Sequence, residues 1–279
     1  VDSNGSRDGS DTLTGVEEFR FSDQTYETAS GSFNSAPTDI DLVTPGDDLI
    51  AQPIEDLQTY TGYGVIYSSV VPKADGGYVL LYNNYDFNSG WDIMTQHYDD
   101  NGVAVGEAEI MSRQILSYSD YQMDVATLND GTHVVTWYDN AYEIRAQRFD
   151  ANFNELGNAF TVNTTGTYYQ YYPDIASTGD GGFVITWRSQ VDEDSNSIAD
   201  FSDVFAQKYD ASGNAVGSEI HATTQTGHQY QVAVAGFGDG SFLLTWRNDN
   251  TTGDGSGSSI MGRFYNADGT ANGAAFVAN

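Results

Sequence analysis

The sequence predicts an all-β chain: a β-propeller of four repeats, each of four antiparallel strands, with a short N-terminal β/coil extension ahead of it. Three observations predict this. The phrases DGTHVVTW (residues 130–137), DGGFVITW (180–187) and DGSFLLTW (239–246) are copies of one another, and DGGYVLLY (75–82) is a weaker copy with tyrosine in the tryptophan place. Each is followed by a second recurring phrase: TQHYDDNGVAVG, AQRFDANFNELG, AQKYDASGNAVG and GRFYNADGTANG. Helix signals are nearly absent, and a repeat of about 50 residues marks one supersecondary unit copied and stacked.

The elements of one repeat follow in order. A first strand precedes the Asp-Gly pair: YQMDVATL, YYPDIAST and YQVAVAGF in three of the copies. The Asp-Gly pair supplies turn chemistry, because glycine accepts positive φ without a steric cost. A β-branched and aromatic run ending at Trp137, Trp187 or Trp246 is the second strand. The third alternates, as in DVFAQKYD, with Val204, Ala206 and Lys208 on one face and Phe205, Gln207 and Tyr209 on the other. A turn such as DASGN leads to a fourth strand, SEIHAT or NAFTVN. Four strands in this length suit a propeller blade. A sandwich or a linear β array remains the alternative. We place an extension at residues 1–35 and the propeller at 36–279, with repeats near 58–110, 116–163, 167–222 and 226–279. The stretch DDLIAQPIED (47–56) resembles a fourth strand lying ahead of the first repeat and is a candidate for ring closure.

The copies differ in length at one place. From the Tyr-Asp pair to the next Asp-Gly the spacing is 31, 30 and 29 residues (Asp99 to Asp130, Asp150 to Asp180, Asp210 to Asp239). From Asp-Gly forward to the Tyr-Asp position it is 24, 20, 30 and 27. Packed elements resist length change and surface loops tolerate it. The loop after the tryptophan, on one shared rim, is therefore the first place to look for a site.

Composition narrows the partners. With 40 acidic and 10 basic residues the formal net charge is −30. Nucleic acid, which requires a basic footprint, is excluded, and no run of about 18 apolar residues exists to insert in a membrane. Such charge costs stability by self-repulsion unless salt or bound cations screen it. There is no cysteine, hence no disulfide, thiolate metal site or cysteine nucleophile. The chain begins at Val1 without a signal-peptide pattern, which predicts a piece of a longer protein.

The longest variable loop has recognisable chemistry. In DEDSNSIADFSD, oxygen ligands fall at loop positions 1, 3, 5, 9 and 12: Asp192, Asp194, Asn196, Asp200 and Asp203, with the Ile198 carbonyl at position 7. This is close to the spacing by which a 12-residue loop wraps Ca²⁺ in hard oxygens, so Ca²⁺ is the expected cofactor. Ser197 stands where glycine is preferred, and Asp203 where glutamate is bidentate. The competing reading is a solvated acidic hairpin tip. Candidate ligand contacts on the other loops are Asp86, Trp91, Asp249 and Asp254. Counting back nine from each Asp-Gly gives Tyr121, Tyr171 and Tyr230 in register, either as packing between blades or as an aromatic face for sugars. The three tryptophans are read as core. Arg188 and Arg247, each following a tryptophan, can bind a carboxylate or pair with the acidic surface. No G-x-S-x-G, H-E-x-x-H or phosphate loop is present, so no catalytic residue is assigned and the chain is read as no enzyme.

The phrase DGGFVITW with DVFAQKYDASGNAVGSEI resembles the repeat of large calcium-dependent secreted bacterial adhesins of the RTX (hemolysin) type. DGSDTLTGVEEFRFSDQTY (8–26) is similar to the flank of RTX nonapeptide repeats, and APTDIDL to the entry of cadherin-like modules. The resemblance implies export to the outside or surface of a bacterial cell and folding in millimolar calcium. The function expected is a non-catalytic adhesion module of a large secreted surface protein, calcium-stabilised, binding a glycan or surface ligand through its rim loops. The alternative is a self-associating structural subunit of an extracellular fibre, assembled by strand addition through residues 1–35. If Ca²⁺ orders the 192–203 loop, a chelator lowers the melting temperature in scanning calorimetry, and an unchanged temperature removes the metal.

Overall fold

The computed structural model describes the chain at residues 68–86, 90–113, 122–139, 141–164, 169–191, 201–223, 227–249 and 257–278, and five short strands before them. Those strands are β1 (Glu18–Arg20), β2 (Tyr26–Glu27), β3 (Ser32–Phe33), β4 (Asp41–Thr44) and β5 (Asp47–Leu49). β4 pairs with β1 and β5 in one antiparallel sheet, and β2 pairs with β3.

Four four-stranded antiparallel sheets follow, each in sequence order. The first blade comprises β6 (Ser68–Pro72), β7 (Tyr78–Asp86), β8 (Gly90–Tyr98) and β9 (Ala104–Arg113). The second comprises β10 (Met123–Thr127), β11 (His133–Tyr138), β12 (Ile144–Phe149) and β13 (Phe160–Thr161). β14 (Gln170–Ser177), β15 (Phe183–Val191), β16 (Phe201–Tyr209) and β17 (Ala215–His221) form the third. β18 (Gln229–Gly236), β19 (Phe242–Asn248), β20 (Ser259–Tyr265) and β21 (Ala271–Val277) form the fourth. The first strands pack in succession, β6 on β10, β10 on β14 and β14 on β18. The expected propeller architecture is therefore present, and no helix occurs among the described residues.

The repeated dipeptides are hairpin locks. Asp130 Oδ1 accepts from the Thr132 amide (3.0 Å) and hydroxyl (2.6 Å), while Gly131, at φ 83°, turns the chain. Asp239 does the same with Ser241, and Asp180 accepts from the Gly182 amide and the Thr178 hydroxyl. At the second turn Asp150 Oδ1 accepts the amides of Asn152 and Asn154, and Asp210 those of Ser212 and Asn214, all at 2.9 Å. The Asn154 and Asn214 side-chain amides donate to Asp150 and Asp210 as well. These side-chain bonds first, then the backbone ones, hold the carboxyls of Asp130, Asp150, Asp210 and Asp239 below the usual range.

Strand alternation divides each blade between its two neighbours. Phe183, Ile185 and Trp187 join Val134, Tyr138, Ile144 and Ala146 of the second blade in one cluster. Val184, Val204 and Ala206 face Phe242, Leu244 and Trp246 of the fourth. Trp137, Trp187 and Trp246 are 5%, 0% and 2% exposed, so the tryptophans are core, and Trp187 Nε1 donates to Gln170 Oε1 at 2.9 Å. Lys208, 1% exposed, is buried with its charge satisfied by both Asp180 carboxylate oxygens at 3.0 Å and by the Thr178 hydroxyl.

The inner strands of successive blades are joined by carboxyls. The Ile175 amide donates to Asp124 Oδ2 at 3.0 Å, and the Val234 amide donates to Asp174 Oδ2 at 2.7 Å. Asp124 and Asp174 hold the same repeat position, paired across their hairpins with Thr136 and Thr186. Burial first, then the hydrogen bond and charge of Asp124, push the Asp174 carboxyl up to about 7. The third and fourth blades also meet backbone to backbone: a Cβ on Gly236 would stand 2.0 Å from the Ser177 carbonyl oxygen.

Two outcomes follow from this seam. Gly236→Ala is expected to destabilise the fold by about 1–3 kcal/mol, the usual cost of overpacking, whereas Gly238→Ala, whose Cβ meets nothing within 4 Å, leaves the urea midpoint nearly unchanged. Asp174 stays protonated in the fold to about pH 7 but ionises near its ordinary value of 3.8 when unfolded. The folded chain then binds more protons between those values, so this site's stabilisation is complete below about pH 4 and is lost as pH rises through 7. Asp174→Asn should flatten that part of the stability profile measured by denaturant titration from pH 4.5 to 8.

Candidate functional site

A cavity of about 700 Å³ opens where the inner strands begin, lined by Gln122, Tyr172, Arg188, Tyr230, Gln231, Val232, Arg247 and Asp249. Its size falls in the range of small-molecule sites. Three of these residues, Gln122, Tyr172 and Gln231, hold one repeat position, eight before the Asp-Gly of the second, third and fourth copies. A single repeat position thus supplies three walls of one cavity from three blades.

Local backbone geometry explains how. The β14–β15 register breaks between Tyr171 and Asp174, and the β18–β19 register between Tyr230 and Ala233. At these breaks Tyr172 and Gln231 adopt φ of 52° and 47°, the left-handed region that non-glycine residues seldom enter. A β-bulge re-aims a side chain, and here both re-aimed side chains line the cavity. Strain of this kind gathers at functional sites.

The second wall is cationic and aromatic. The Arg188 guanidinium lies 4.9 Å from the Tyr172 ring centroid, 5.1 Å from that of Tyr171 and 5.4 Å from that of Tyr230. Arg247 lies 5.9 Å from the Tyr230 centroid, and its Nε is 2.8 Å from Asp249 Oδ1. Tyr171 packs edge-on against Tyr138 and Tyr142, and burial pushes its hydroxyl up to about 12, so it stays a neutral phenol. His228 stacks on Tyr230 with centroids 5.3 Å apart. Two residues along the inner strands from Gln122 and Tyr172 stand Asp124 and Asp174, the carboxyl pair that joins the blades.

Of the residues singled out from the sequence, Tyr230, Asp249, Arg188 and Arg247 line this cavity, and Tyr171 packs behind its wall. Trp91, 7% exposed, is part of the core cluster between the second and third blades. Asp86 is the last residue of β7. Tyr121, Asp254 and the loop residues Asp192, Asp194, Asn196, Ile198 and Asp200 lie outside the described residues. Asp203 sits within β16, paired with Ser189, and its Oδ2 meets His221 Nε2, whose ring stacks on Phe205. Among the described residues no group of three or more His, Cys, Asp or Glu is arranged to hold a metal. Gln122, Tyr172 and Gln231 escaped the sequence reading, although they lie one residue beyond the tyrosines counted back from Asp-Gly. The bulges that turn Tyr172 and Gln231 inward leave no mark on strand alternation.

No family model matches the chain, and no curated protein matches it. Solved structures do match. The GH93 α-L-arabinofuranosidase of Fusarium graminearum shares 11% identity at TM-score 0.48, over 76% of this chain and 66% of that one. The endo-arabinase of Bacteroides thetaiotaomicron shares 15% at TM-score 0.41, over 76% and 80%. The GH43 endo-arabinanase of Bacillus licheniformis shares 14% at TM-score 0.41, over 75% and 77%. The likeness is one of strand arrangement. Their names are those of an arabinofuranosidase, an endo-arabinase and an endo-arabinanase, so the expected non-catalytic adhesion module binding through its rim loops, its fibre-subunit alternative and the reading of the chain as no enzyme are corrected and not carried further; the likeness itself assigns this chain no activity. Contiguous motifs do not mark a cavity to which each blade contributes one side chain: Gln122 and Tyr172 are 50 residues apart in sequence, and Tyr172 and Gln231 are 59 apart.

Proposed function

We propose that the chain holds a saccharide in the inner-strand cavity and acts on it there. The observation that carries this reading is the convergence of Gln122, Tyr172 and Gln231 from one repeat position, two of them on left-handed bulges. The lining suits a sugar. Tyrosine rings offer flat apolar faces to C–H groups, and amide and guanidinium groups offer fixed donors to hydroxyls. Two arginines, two glutamines and two tyrosines around one cavity supply both.

The Asp124–Asp174 pair favours a chemical step. Asp174 keeps its proton near neutral pH, mainly because it is buried and partly because Asp124 lies beside it. A carboxylic acid that stays protonated at working pH is the group that donates to a departing glycosidic oxygen, with a second carboxylate as its partner. In this reading Asp174, two residues along the strand from the cavity-lining Tyr172, is the proton donor, and Asp124, hydrogen-bonded to it, helps to keep it protonated rather than acting as the second carboxylate. Export and calcium binding are proposed on the RTX-like phrases and the spacing of the 192–203 loop.

A panel of oligosaccharides examined by titration calorimetry and by reducing-end assay tests both halves. At least one sugar is expected to bind, with Tyr230→Ala weakening it about tenfold or more, as befits loss of a stacking face. Asp174→Asn should abolish turnover while leaving affinity within a few-fold. A panel with no binder removes the saccharide reading. Binding with no turnover by the wild type removes the catalytic half and leaves Asp174 a joint between blades.

A further inference from the structure

We infer that the saccharide taken by this cavity carries a carboxylate, as a uronic acid does, and that Arg188 recognises it. The inference rests on the saccharide reading of the cavity and names the class of sugar. It starts from charge. The chain has 10 basic residues against 40 acidic, yet two of the ten line one cavity. They are not equivalent. Arg247 is neutralised within its own strand end by Asp249, two residues on, at 2.8 Å. In the third blade the matching place after Arg188 is Gln190, a neutral amide whose backbone N–H is taken up by the Tyr169 carbonyl.

Arg188 therefore has no carboxylate partner among the described residues. Its Nε is buried and makes no hydrogen bond. The guanidinium is packed among Tyr171, Tyr172 and Tyr230, whose rings hold the cation while leaving its N–H donors uncommitted. A charge half-withdrawn from water in a chain so rich in carboxylates would ordinarily take one of them. Among the described residues, none is placed to do so.

A planar guanidinium flanked by aromatic faces matches a planar carboxylate through two parallel hydrogen bonds. One uncompensated positive charge suits a monoanion rather than a phosphate dianion. The −30 net charge does not forbid this. At physiological ionic strength, repulsion from charges farther than about 8 Å is largely screened, so the local guanidinium governs the last approach. Gln122, Gln231 and Tyr172 then face the sugar hydroxyls.

The test uses trimers of galacturonate, glucuronate and mannuronate, their methyl esters, matched neutral trimers, and sodium acetate, each titrated calorimetrically into the wild-type chain. At least one uronate should bind about tenfold or more tighter than its own ester, acetate should bind far more weakly than the trimer, and Arg188→Gln should bring acid and ester to equal affinity. Arg188→Lys, which keeps the charge and loses the fork, should retain part of the preference. Equal binding of acid and ester by the wild type overturns the carboxylate inference and leaves the saccharide reading standing, whether or not the variants fold. A preference that survives in Arg188→Gln overturns the role of Arg188. Acetate binding as well as the trimers assigns the cation to small organic acids instead. Failure of every trimer, charged and neutral, removes the saccharide reading and this inference together.

Discussion

Everything at the centre of this molecule depends on how the inner strands satisfy their free edges. The first strand of each blade pairs with the second on one side only, so its other edge presents amides with no sheet partner, and a buried unpaired amide is costly. Asp124 and Asp174 meet this need by accepting the Ile175 and Val234 amides of the next blade. The joint thus sets the spacing of the inner strands and, with it, the width of the cavity above. It also places two carboxyls where only one can comfortably be ionised, which is why Asp174 holds its proton so far above an ordinary aspartate. The joint stops at the fourth blade, where Ala233 takes the aspartate position. There the face that buries Val204 and Lys208 in the third blade instead exposes Ile260 and Phe264.

The same strands pay for the cavity in backbone strain. Tyr172 and Gln231 sit in left-handed conformations at matched register breaks. The packing of Tyr171 and the Asp174 joint on either side of the break over-determines the geometry, so the strained residue cannot relax away from the cavity. Two blades that share this bulge present equivalent side chains at equivalent depth. The second blade contributes Gln122 from the same repeat position.

Acidity has at least two distinct uses here. Many aspartates are turn caps: Asp99, Asp130, Asp150, Asp180, Asp210, Asp239 and Asp268 accept hydrogen bonds from the hairpins they close, and all have lowered pKa values. They explain why the repeat is written with Asp-Gly and Tyr-Asp. Asp174 is the opposite case, a carboxyl raised by burial. Net charge treats both alike, and only their surroundings separate a solvated cap from a proton-holding acid.

The sequence by itself determined the blade. Period, turn dipeptides and strand alternation are local, and each is written within a few residues, so four blades, three of them with a core tryptophan, were legible in the sequence. It also showed Tyr230 and Asp249, which line the cavity, and the arginines that follow two tryptophans. Tertiary structure decided the rest. Gln122, Tyr172 and Gln231 meet because bulges turn the latter two and the blades pack in order. Among the described residues a carboxylate stands beside Arg247 and none beside Arg188, and Asp174 differs from the turn aspartates in its burial and in its neighbour Asp124. The carboxyl joints between inner strands join residues 50 or more positions apart, as Asp124 with Ile175 and Asp174 with Val234 show. Local sequence signals do not extend over that distance, so the site is written in the packing.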